Sequence, residues 1–139
     1  MKITTKGRYG LTIVLELTRC FGQGPISLRS IAEKKGLSEH YLEQLIGPLR
    51  NAGIVKSIRG AHGGYILGDE PAKFTAGDII RTLEGPIVLV ESIEDEEAAQ
   101  RELWLRIRNA VKEVLDSTTL EDLASHGDDP LLDGYMFYI

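Results

Sequence analysis

The chain has 139 residues, enough for one hydrophobic core with an appended element; its 42% hydrophobic and 27% charged residues are ordinary for a globular protein, and no run of about 18 apolar residues offers a membrane span. A single cysteine, Cys20, excludes an internal disulfide framework and any metal or iron–sulfur site built from this chain's thiolates alone, while the opening Met-Lys-Ile-Thr-Thr-Lys lacks the apolar stretch of a secretory signal and predicts a cytoplasmic protein. The net charge of -5 hides a split: residues 1–70 carry 10 Lys/Arg against 6 Asp/Glu, and residues 71–139 carry 6 against 15, so the N-terminal half suits a polyanion and the C-terminal half does not.

Thr4 or Thr5 can cap a first helix running to about Phe21, with Tyr9, Leu11, Ile13, Val14, Leu17 and Thr18 on its inward side. Gly22-Gln23-Gly24-Pro25 ends it. Ser27 caps a short second helix whose inward residues are Leu28, Ile31 and Ala32, stopped by Gly36. Ser38 caps a third from Glu39 to about Ala52, with Leu37 and Leu42 spaced as a hydrophobic staple; Pro48 is expected to bend it or free its last turn. The period then changes. Ile54–Ile58 alternates as a strand, Arg59–Gly64 reads as a turn and Tyr65–Leu67 as a returning strand. Thr75 and Asp78 form a capping box opening a helix to about Leu83. An acidic stretch, Glu94-Asp95-Glu96-Glu97, precedes a long amphipathic helix, and Thr118 with Glu121 caps a last short one from Leu120 to Ala124.

Three helices and a hairpin in that order predict a mainly α fold with a small β-hairpin: a winged helix-turn-helix with a long C-terminal dimerisation helix. The chain thus divides into a winged domain over 1–84, an acidic linker over 85–100, a dimerisation helix and short cap helix over 101–125, and a tail over 126–139. On a helical wheel Leu45, Ile46 and Leu49 cluster with Leu42, while His40, Gln44, Gly47 and Asn51 take the opposite side with Glu43 at its edge. That outward face carries hydrogen-bonding heads where a recognition helix meets base edges. Gln44 can bond adenine bidentately, Glu43 can accept from a cytosine amino group, and His40 can donate to a purine or a phosphate.

Phosphate contacts have candidates at the helix starts after Ser27 and Ser38, where backbone amides are free, and at Arg29. Lys2, Lys6 and Arg8 crowd the first helix's start, where the helix dipole favours acids; a nearby polyanion explains them. In the wing, Arg59 followed by Gly60 can enter a narrow minor groove, and Arg50 completes the candidate contacts.

Lys6-Gly7-Arg8-Tyr9-Gly10, Ser38 to Leu45, Arg59 to Leu67, Ala76 to Ile80 and Leu83-Glu84-Gly85-Pro86 together resemble the Rrf-two family of bacterial winged-helix regulators, almost throughout the chain. Arg101-Glu102-Leu103-Trp104, Ser117 to Ala124 and the ending Tyr135-Met136-Phe137-Tyr138-Ile139 resemble a branch that represses genes of cysteine metabolism. The resemblance implies a homodimer that blocks transcription of genes for sulfur-compound uptake and cysteine synthesis. By similarity, Tyr41, Glu43 and Gln44 fall in the recognition helix and Arg59 in the wing. Iron–sulfur members of the family carry three cysteines between wing and long helix; this chain has none between Glu84 and Trp104, so no cluster and no other cofactor is expected.

The long helix carries Leu103, Ile107, Ala110, Val111 and Val114 on one stripe. With the acidic linker leading it away from the winged core, the stripe is expected to pack on a symmetry mate, the alternative being packing on its own domain; a two-fold dimer predicts a palindromic operator. Cys20 reads as a structural thiol, with redox sensing the alternative. The resemblance also implies a partner, cysteine synthase, in which Tyr138 and Ile139 would dock by their terminal carboxylate; local packing of this tail in the dimer is the other reading. His40, His62 and His126 show no metal-ligand spacing and no nucleophile motif is present, so no enzyme is expected. The rival to a repressor is a winged helix that binds proteins and ignores DNA.

Overall fold

The computed structural model describes residues 2–126. Helices α1 (Thr5–Arg19), α2 (Leu28–Lys35) and α3 (Glu39–Asn51) are followed by strands β1 (Val55–Ile58) and β2 (Gly64–Leu67), then α4 (Ala76–Glu84), α5 (Ala98–Ser117) and α6 (Leu120–Ser125). Single 3-10 turns lie at Pro71–Lys73 and Ile93–Asp95. No helix among the described residues is long and apolar enough to cross a membrane.

Short-range chemistry sets most helix starts. Thr4, Ser27 and Ser38 cap α1, α2 and α3, and Thr75 with Asp78 makes a reciprocal capping box on α4. The last cap sits one residue later than expected: Thr119 and Asp122 close the box on α6, not Thr118 and Glu121. Pro48 does not cut α3. Its ring forfeits only the hydrogen bond to the Gln44 carbonyl, while Leu45, Ile46 and Leu49 on both sides are locked in the core.

One core gathers Ile13, Val14 and Leu17 of α1, Ile31 of α2, Leu42 and Leu49 of α3, Val55 and Leu67 of the hairpin, Ile79 of α4 and Leu120 of α6. Leu120 is fully buried there, so the segment 101–125 is not a unit apart: α6 belongs to the winged domain, pinned by Ala76 N–H donating to the Thr118 carbonyl and Leu120 N–H donating to that of Phe74. Gly10 lets α1 and α4 close on each other, because a Cβ there would stand 1.9 Å from Leu83 Cδ1.

The strands pair antiparallel, Val55 opposite Leu67 and Ile58 opposite Gly64. Ile26, just before α2, adds a bridge to Tyr65, N–H to carbonyl both ways at 2.9 and 2.8 Å. Gly64 makes this possible: at φ +154°, a Cβ would meet the Ile26 carbonyl group at 2.5 Å. The wing is therefore stitched to the start of α2.

Glu16 ties α1 to α2 from within. Only 4% exposed, it meets Lys34 Nζ at 2.9 Å, Lys35 Nζ at 3.2 Å and Arg19 at 3.5 Å. Burial alone would raise its pKa, but hydrogen bonds and charge from Lys34 and Lys35 outweigh that and hold the carboxyl below its ordinary range.

The linker does not carry α5 away. It folds back so that α5 lies against α4, joined by Arg81 Nη1 and Asp116 Oδ1 at 2.6 Å, and α5 begins at Ala98, inside the stretch expected to be linker. Trp104 Nε1 donates to Glu96 at 3.1 Å, using an acid of that linker to fasten the helix's first half. Yet none of its 20 residues is buried. Leu103, Ile107 and Val114 are 46%, 39% and 63% exposed.

Candidate nucleic-acid interface

Helix α3 has two unlike sides. Leu42, Leu45, Ile46 and Leu49 face the core, while His40, Glu43, Gln44 and Asn51 are exposed. His40 and Gln44, one turn apart, bring their ring and amide nitrogens to 3.4 Å, so two hydrogen-bonding heads stand together on the outward face. Beside them a cleft of about 390 Å³, between the start of α2, α3 and the start of β2, brings together Ser27, Arg29, Glu43 and Arg50.

The two capping serines are engaged. Ser27 Oγ accepts from Ser30 N–H at 3.1 Å and Ser38 Oγ from Tyr41 N–H at 3.3 Å. What these helix starts offer an anion is the remaining first-turn amides, not the hydroxyl acceptors. Arg29 meets Glu33 at 3.2 Å, a pair so exposed that a phosphate can compete for the guanidinium. Arg59 and Gly60 stand apart from the cleft, exposed at the hairpin tip, with Gly60 at φ +114°.

Tyr41 is turned back into the fold. Its ring meets Tyr9 edge-on at 5.8 Å between centroids, and its hydroxyl lies 3.1 Å from Thr5 Oγ1. It sets the start of α3 against the start of α1, where Lys6 and Arg8 are exposed.

The cations at that helix start have a local answer that composition does not disclose. Glu84, at the end of α4, accepts from the Thr4 N–H at 3.0 Å, the Gly7 N–H at 2.9 Å and the Thr4 hydroxyl. The Thr4 hydroxyl bond is the main reason the Glu84 carboxyl sits below its ordinary pKa, with the two backbone amides and the Lys6 charge adding to it. The acid missing from the first turn of α1 thus arrives from 80 residues away. The dipole argument for a polyanion falls with it; Lys6 and Arg8 stand as candidates through exposure and charge.

Cys20 caps the end of α1, half-buried, and lines a cavity of about 260 Å³ with Phe21, Ile26 and Tyr65. Tyr138 and Ile139 lie outside the described residues. Of the stripe on α5, Leu103, Ile107, Ala110 and Val114 face outward, whereas Val111 is half-buried against the linker side.

A tri-helical core, an outward polar third helix and a hairpin stitched to the second helix define a winged helix-turn-helix protein. Residues 3–126 match the Rrf2 (Rrf-two) family, described as iron-dependent transcriptional regulators, and the chain belongs to that family. It is 71% identical over 139 residues, the whole of both chains, to the HTH-type transcriptional regulator CymR of Bacillus subtilis (strain 168). The solved structure of CymR (YrzC), the global cysteine regulator of B. subtilis, matches with a TM-score of 0.88 at 73% identity, covering 92% of this chain and 99% of that one. A transcriptional regulator from Listeria innocua matches with a TM-score of 0.86 at 79% identity, over 100% and 97% of the two chains.

The iron in the family's description does not fit the residues present. The sole cysteine ends α1, residues 85–104 contain neither cysteine nor histidine, and among the described residues no group of three His, Cys, Asp or Glu side chains could hold a metal.

Proposed function

We propose that this chain is a homodimeric, sequence-specific DNA-binding repressor of genes for cysteine synthesis and sulfur uptake, acting in the cytoplasm by binding rather than catalysis. The observation that carries the reading is the outward face of α3, where His40, Glu43, Gln44 and Asn51 are all exposed beside a cleft holding Arg29 and Arg50. Gln44 and Glu43 read base edges; His40 reads a purine or a phosphate. The amides after Ser27 and Ser38, with Lys6, Arg8, Arg29 and Arg50, hold the backbone, and Arg59 with Gly60 enters the flanking minor groove. Tyr41 acts through packing, by fixing where α3 begins. The cysteine theme rests on the similarity to the global cysteine regulator of B. subtilis.

Two copies join through Leu103, Ile107, Ala110 and Val114, which supports a palindromic operator with half-sites about 34 Å apart or a multiple of it. The partner that modulates repression is cysteine synthase, docking Tyr138 and Ile139 of the tail.

Footprinting on promoters of cysteine-synthesis and sulfur-uptake genes, with and without cysteine synthase, tests the whole reading. Protection of a palindrome by the wild-type chain is expected, and Gln44→Ala should cost about 1–3 kcal/mol of operator affinity while sparing non-specific binding. Equal affinity for operator and random duplex would sink the repressor. Undiminished retention of the synthase by a variant lacking Tyr138 and Ile139 would remove the tail docking alone.

A further inference from the structure

A cleft of about 460 Å³ opens between the end of α4, residues 86–89 and one face of α5. Its charge runs against its surroundings. Residues 71–139 carry only 6 Lys/Arg against 15 Asp/Glu, yet three of those six, Arg81, Arg108 and Lys112, line this cleft. Arg81 is engaged by Asp116, and Gly77 keeps room for that pair, since a Cβ there would come within 2.6 Å of both partners. Among the described residues Arg108 forms no ion pair, and Lys112 feels only the charge of Asp116 one turn on, a carboxylate that Arg81 already engages. Arg108 and Lys112 stand four apart on one helix, an unfavourable like-charge spacing that Asp116 offsets only at the Lys112 end. The wall facing them is apolar, built from Ile87, Leu89, Val111 and Leu115.

We propose that this cleft binds a small organic anion, a carboxylate on a short apolar body. The carboxylate lies between Arg108 and Lys112, and the body rests on Ile87, Leu89, Val111 and Leu115. A cleft of this volume, mostly apolar with a few convergent charges, has the build of a small-molecule site. Nor does the exposed stripe of α5 fill it. Leu103, Ile107, Ala110 and Val114 lie on a face roughly 140° around the helix from Arg108 and Lys112, so a second copy seated on the stripe leaves the cleft open.

The test is a calorimetric and methyl-NMR titration of the full chain with sodium hexanoate, hexanamide and inorganic phosphate as probes, in the absence of DNA. Hexanoate should bind saturably and shift the Val111 and Leu115 methyls. Arg108→Gln and Lys112→Gln, both at exposed positions that the fold tolerates, should each weaken it at least tenfold. Equal binding of hexanamide would overturn the charge recognition, and equal binding of phosphate would overturn the apolar wall. Unchanged affinity in both variants, or intermolecular contacts showing the second copy inside the cleft, would overturn the site itself. Because no DNA is present, the outcome is separate from that of the repressor reading.

Discussion

Glu84 supplies for α1 what the first turn of α1 lacks, a negative charge on three N-terminal donors. Its carboxyl is held below the ordinary range in the folded chain, so the unfolded state binds its proton more readily. The stabilisation is therefore complete above the usual carboxylate pKa and fades as pH falls through the lowered folded value. Urea unfolding of Glu84→Gln should show a midpoint below wild type at pH 7, with the two curves converging in acid; a gap that persists at low pH would mean the side chain acts by shape instead. Residues of this kind were not legible in the sequence. Ser27, Ser38 and Thr75 could be read because a cap and its receiving amide sit three positions apart. Glu84 and Glu16 find their partners across 80 and 18 positions, and only the packing of α1 on α4 and α2 brings those together.

At the scale of elements, the order of helices and strands follows from periodicity, and so does the outward face of α3, because 3.6 residues per turn alone separates Leu42 and Leu49 from His40 and Gln44. The placement of α5 does not follow. A run of acids reads as a solvated tether, but Glu96 bonds Trp104 and Arg101 reaches the Glu94 carbonyl, so the segment is a fold-back. Nor does Tyr41's role follow, since a helical wheel cannot tell a ring turned toward a neighbouring helix from one held out to solvent. A 20-residue helix without a buried residue gains its stability elsewhere, and burying each large aliphatic of its stripe is worth about 1.5–3 kcal/mol. If the stripe joins two copies as proposed, replacing Leu103, Ile107 and Val114 together with serine should convert the dimer to a monomer in sedimentation equilibrium. Far-UV circular dichroism of the winged domain should stay intact, and a dimer that survives the triple change would place the joint elsewhere.

Taken whole, the molecule is electrically polar along its sequence, with the cations of residues 1–70 on the elements that carry α3 and the wing. Operator binding should weaken steeply as salt rises, since each neutralised phosphate releases its counterions. Arg59→Ala should lower affinity and reduce the slope of log K against log salt by about 1 per protomer, measured by fluorescence anisotropy across a salt series; unaltered affinity and slope together would take the arginine off the duplex. The bridge between Ile26 and Tyr65 has a larger meaning at this scale. With the hairpin sewn to the helix-turn-helix, a protomer that binds as proposed works as a caliper whose opening the bridge restrains. On the proposed reading, a base pair inserted between the segment under α3 and the flank under the wing strains either that bridge or the duplex, and should weaken binding. In the proposed homodimer, a base pair inserted at the operator's dyad falls instead on the seam between copies, so the reach of that seam would set how far apart the two halves of a usable operator can stand.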